Sequence, residues 1–196
     1  MRQDRSKAIE TTPVPPAPLD AIQRTLGALE STWADAVRVQ LLTGARPGEV
    51  LGMRAEGFER FAGFSIYRVA FKRSKRAIIV PGICQALIDS RATRGYIFPG
   101  RGGVGHRSTS GYAHAVLRVC RLRGIEPWHP HQLRHTFATA ARAAGMRVED
   151  VQVALGHKQL STTEIYAERD LARIAELLGS NRVPLLSLDS RNRLPQ

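Results

Sequence analysis

Cysteine is nearly absent: Cys84 and Cys120 are the only two in 196 residues, far apart and in no C-x-x-C pair. That excludes a disulfide framework and a thiolate zinc site, and it fits a reducing cytoplasm. Long apolar runs are missing too. No stretch reaches the roughly 18 apolar residues of a spanning helix, and the first residues lack the apolar centre of a secretory signal. A soluble, cytoplasmic protein with no membrane partner is therefore expected. Acidic residues are the third scarcity, with 17 Asp+Glu against 29 Lys+Arg and a formal charge of +12. The basic residues run through the whole length, so a basic tail does not account for the excess, and a polyanionic partner is expected. A 43% hydrophobic content supplies one sizeable core and hence one main domain.

Residues 1–18 begin charged and turn proline-rich at Pro13, Pro15, Pro16 and Pro18, which reads as a linker. Asp20 and Gln23 resemble an N-cap and its reciprocal partner ahead of Ile22, Leu26 and Leu29. A second helix follows, with Trp33, Ala36, Val37 and Leu41 on one side, and it ends near Gly44. Pro47 suits the first turn of a third helix reaching about Arg54. From Phe58 to Pro81 the pattern becomes that of two or three strands, with a very basic turn at Lys72–Arg76. The remainder reads as helical except Tyr96–Phe98 and the glycine-rich loop 100–105. The fold class expected is mainly α with a small antiparallel β-sheet (α+β).

Winding residues 131–144 at about 100° per residue gathers His131, Arg134 and His135 on one side. Leu133, Phe137, Ala140 and Ala144 fall opposite. One face is core, and the other offers two imidazoles and a guanidinium to something anionic or simply to solvent. Zinc is a further reading for His129, His131 and His135, disfavoured because Pro130 interrupts the set and no Cys or acidic ligand lies near. The next helix places Val148, Val151 and Leu155 inward, carries Glu149 and Asp150 in its first turn, and stops at Gly156, with His157 just beyond. Ser161 and Glu164 form an S-x-x-E capping box, which puts Tyr166 on the helix that Ser161 starts.

In order, these motifs are Thr43-Gly44-Ala45-Arg46-Pro47-Gly48-Glu49-Val50, His131-Gln132-Leu133-Arg134-His135, Leu155-Gly156-His157 and Tyr166. Arg134 precedes His157 by 23 positions, and His157 precedes Tyr166 by 9. The combination resembles the tyrosine recombinase (phage integrase) family over about residues 19 to 180. The resemblance implies the catalytic-domain fold of that family at 19–180, a C-terminal tail at 181–196, and absence of the N-terminal core-binding domain that most members carry.

It also implies a chemistry. Tyr166 would attack a DNA phosphate to form a 3′-phosphotyrosyl link, with no metal or other cofactor. Arg46 and Arg134 would clamp the non-bridging oxygens, and His157 would be a third phosphate contact. Lys72, or in second place Lys75, would protonate the leaving 5′-oxygen, and His131 would assist proton transfer. Glu49 and His135 would support these groups. The expected partner is double-stranded DNA, held by Lys72, Arg73, Lys75, Arg76, Arg107, Arg118 and Arg121. Members of the family act as homotetramers on DNA, and a free monomer is compatible with that. Leu171, Ile174 and Leu178 form an apolar stripe suited either to a neighbouring subunit or to the chain's own core. Site-specific recombination for a mobile element is the function implied. A non-cleaving DNA-binding relative and a type IB topoisomerase-like activity are the alternatives.

Overall fold

The last helical turn before Gly44 is buried, and three helices and a strand pack against the helix that carries it. A computed structural model describes residues 14–61, 63–71, 74–156 and 168–179, with the backbone alone at 70–71, 74–76, 168–170 and 179. The elements are α1 (Leu19–Leu26), α2 (Ser31–Thr43), α3 (Pro47–Leu51), β1 (Phe58–Phe61), β2 (Phe64–Phe71), β3 (Ser74–Pro81), α4 (Gly82–Arg91), α5 (Thr109–Arg123), α6 (Gln132–Ala143), α7 (Val148–Ala154) and α8 (Glu168–Gly179). The three strands form one antiparallel meander in the order β1-β2-β3. This is the α+β architecture expected.

Helix α2 buries Ala34, Ala36, Val37, Val39, Gln40, Leu41 and Thr43, far more of its circumference than the single face expected. The reason is its place between α6, β3, α3 and α4. Gly44 ends it in the left-handed region (φ 63°), its N–H bonded to the Gln40 carbonyl at 2.9 Å. A Cβ at Gly44 would lie 2.6 Å from Phe137 Cδ1 and 2.8 Å from Leu155 Cδ2, so only glycine fits.

Several local expectations change. Helix α1 starts two residues early, with extended Pro18 rather than Asp20 as its cap and no side-chain cap bond, so Asp20 sits inside the first turn. Ahead of it, Ala17 is buried and exchanges hydrogen bonds with Thr136 of α6, and Gln132 donates to the Pro15 carbonyl. Helix α3 stops at Leu51, because the Met53 carbonyl is used by the N–H of Ile97 in a strand-like contact. The hairpin register pairs Ala70 with Lys75 and Val69 with Arg76, placing both basic residues in β3 rather than in a turn. Val148 is 46% exposed while Val151, Val153, Ala154 and Leu155 are buried. In α8, Ile174, Ala175 and Leu178 are buried against the chain's own β3, β2 and α4. Of the apolar stripe, Ile174 and Leu178 are thus buried within the chain, and Leu171 is half-buried.

Candidate active site

The site is assembled from the ends of helices. Arg134 lies on the first turns of α6, whose opposite face is fixed by fully buried Leu133 and Phe137. Its Nη1 donates to the Gly44 carbonyl at 2.8 Å and its Nη2 to the Leu155 carbonyl at 2.7 Å. Both acceptors lie at helix C-termini, where the last carbonyls lack intrahelical partners and the helix dipole favours a cation. One guanidinium therefore ties together the ends of α2, α6 and α7. Two bonds from a rigid planar fork fix its orientation, which a lysine ammonium would not do.

Arg46 follows Gly44 by two residues, so their Cα atoms are at most about 7.6 Å apart. Glu49, in the first turn of α3, accepts from the Arg46 backbone N–H at 2.7 Å and from its Nη1 at 3.0 Å. The Arg46 side chain is 55% exposed and that of Glu49 13%. The carboxylate is shielded and the cation faces outward, the polarity needed to present a guanidinium to an anion.

His131 stands at the start of α6 and is exposed, as is His135 one turn on. Its ring stacks on that of His129, with centroids 5.5 Å apart and planes 7° from parallel. Partial burial and the neighbouring His131 both hold the His129 pKa below its ordinary value. The Pro130 carbonyl between them accepts from the Leu133 N–H at 3.2 Å and from the buried Gln40 side chain at 2.8 Å.

In the first turn of α7, Asp150 is 1% exposed and held by Arg147 at 3.2 Å and by Arg173 of α8 at 2.9 Å. Burial raises its pKa, but the hydrogen bonds from the two arginines outweigh that and leave it below the usual carboxylate value. This pair joins α7 to α8 on either side of 157–167.

The basic residues assigned to DNA contact separate into two kinds. Arg118 and Arg121 are exposed on α5, beside His114. Arg107, just before α5, lies over the Trp33 ring at 4.5 Å and bonds to Glu30 at 3.0 Å, so it is engaged within the chain. Lys72, Arg73, His157 and Tyr166 lie outside the described residues, as do the side chains of Lys75 and Arg76 and the capping pair Ser161 and Glu164. Among the described residues no three His, Cys, Asp or Glu are grouped to hold a metal ion, and no helix is long and apolar enough to cross a membrane.

Gln40, Gly44 as an acceptor, and Asp150 were not picked out as site residues from sequence. Gln40 alone carried a signal, as a lone amide inside Val39-Gln40-Leu41-Leu42.

The model of the phage integrase family matches residues 17–173. The chain belongs to the phage integrase family. Among curated relatives, tyrosine recombinase XerD of Rhizobium meliloti (strain 1021) is 30% identical over 154 residues, covering 73% of this chain and 49% of the relative. Tyrosine recombinase XerC of Lactobacillus delbrueckii subsp. bulgaricus is 47% identical over 60 residues, covering 30% of this chain and 20% of the relative. The chain therefore spans at most about half the length of these relatives. An integrase from mycobacterium phage Brujita superposes with a TM-score of 0.67 at 22% identity, over 93% of this chain and 65% of that one. The likeness is one of fold, mostly helical with a small three-stranded antiparallel sheet.

Proposed function

We propose that this chain breaks and rejoins double-stranded DNA at specific sites through a 3′-phosphotyrosyl intermediate on Tyr166. The observation that carries the reading is the Arg134 guanidinium, bonded to the Gly44 and Leu155 carbonyls. Through it the T-G-A-R-P-G-E string, the H-x-L-R-H helix and the lead-in to L-G-H meet at one corner.

In this reading the Tyr166 oxygen attacks phosphorus and the bond to the 5′-oxygen breaks. Arg46 and Arg134, with His157, stabilise the extra negative charge on the non-bridging oxygens, a task for preorganised cations. Lys72, or Lys75 in its place, gives a proton to the departing 5′-oxygen. His131 takes up or relays the phenolic proton, as an imidazole within hydrogen-bond reach can. Glu49 orients Arg46, and His135 supports the same face. Attack by another strand's 5′-hydroxyl reverses these steps and reseals DNA, because the phosphotyrosine retains the energy of the diester.

Grip on DNA comes from Lys72, Arg73, Lys75 and Arg76 at the hairpin and from Arg118 and Arg121 on α5. Of the basic residues assigned to DNA, Arg107 holds the entry of α5 through Glu30 and Trp33. Assembly as a homotetramer on two duplexes, in the nucleoid of the cytoplasm and in the service of a mobile element, completes the proposal.

The test is covalent capture. A nicked suicide duplex, carrying a site recovered from a randomised duplex pool by the wild-type chain, is expected to yield a protein–DNA adduct mapping to Tyr166. The adduct should be lost in Tyr166→Phe and persist in EDTA. Binding without any adduct would make the chain a non-cleaving DNA-binding relative. Relaxation of supercoiled plasmid without strand exchange would favour the topoisomerase-like alternative.

A further inference from the structure

The polar residue placed most unexpectedly is Gln40. It is fully buried in the last turns of α2, among Val39, Leu41 and Val37. Its Nε2 donates to the Pro130 carbonyl at 2.8 Å, 90 residues away in sequence, while its Oε1 is buried with no partner among the described residues. An amide in that state opposes burial, and a leucine of similar volume would pack there without an orphaned oxygen.

The Pro130 carbonyl does not need Gln40 to be satisfied, because it already accepts from the Leu133 N–H at 3.2 Å. The second bond uses its other lone pair and comes from a different helix. It pins the corner sideways, immediately before His131. The same turn of α2 gives its Gln40 backbone carbonyl to the N–H of Gly44, whose own carbonyl orients Arg134. One turn of helix thus sets the His131 corner through its side chain and the Arg134 fork through its backbone.

We propose that Gln40 is a positioning residue for His131, holding the entry of α6 in register with the corner that carries Arg134 and Arg46. The role assigned to His131 rests on the strand-transfer reading above; the brace itself does not.

The test uses Gln40→Leu, with Gln40→Met as a second variant of matching length that also lacks the donor. By NMR of the intact chain, the carbon-bound ring protons of His131 should shift or broaden in both variants, while those of His114 on α5 stay in place. On the selected suicide duplex at saturation, adduct formation should slow about tenfold. The same substitution should add no further loss to His131→Ala. Unmoved His131 signals, or a full tenfold loss that persists on top of His131→Ala, would overturn the brace. If His131→Ala alone cleaved at the wild-type rate, the catalytic role of His131 would fall, and a ring shift in Gln40→Leu would still support the brace.

Discussion

Arg134 and the arginines of α5 carry the same guanidinium in opposite settings. Arg134 is half-buried and bonded to two backbone carbonyls that come from two other helix ends. Arg118 and Arg121 stand exposed on one helix. The first setting fixes direction and position, which is what the stabilisation of a developing charge requires. The second supplies positive potential that any phosphate backbone can use, and which salt screens. The difference suggests a division of labour, with chemistry at the corner of α2, α6 and α7, and affinity on α5 and the hairpin.

The largest effect should come from Arg134. Arg134→Ala removes the cation and leaves the Gly44 and Leu155 carbonyls without this donor. Adduct formation at saturating duplex is expected to fall by about 10³-fold. Gly44→Ala attacks the same corner through packing, since it demands a left-handed alanine and drives a methyl into Phe137 and Leu155. Chemical denaturation should show a loss of about 2–4 kcal/mol. The smallest effects belong to α5: Arg118→Ala and Arg121→Ala should each weaken binding a few-fold. Each should also reduce the slope of log affinity against log salt by about one. A salt slope that these substitutions leave unchanged would remove α5 from the DNA surface.

Much of this layout was legible in the residues. The period of 131–144 placed Arg134 away from Leu133 and Phe137, Gly44 marked the end of α2, and the order and spacing of the motifs carried the resemblance that groups them in one site. What escaped was information carried by tertiary partners. Nothing local says that Gln40 faces Pro130, that the Met53 carbonyl is taken by Ile97, or that Arg107 is occupied by Glu30 and Trp33. Those assignments depend on which segment arrives from far along the chain. The α8 stripe was equally readable as a cis or a trans surface, and in the chain by itself Ile174 and Leu178 are buried where α8 meets β3 and α4. Lys75 and Arg76 read as turn residues by composition, yet strand pairing extends through both.

The measurement that bears most directly on the division of labour compares Arg134→Lys with the double variant Arg118→Ala/Arg121→Ala. Single-turnover adduct formation on the selected duplex is followed at rising DNA concentration. Arg134→Lys keeps the charge but cannot bridge both carbonyls, so it should remain about 10²-fold slow at every concentration. The double variant should recover the wild-type rate once enough duplex is supplied. A double variant that stays slow at saturation, or an Arg134→Lys protein rescued by more DNA, would contradict the account.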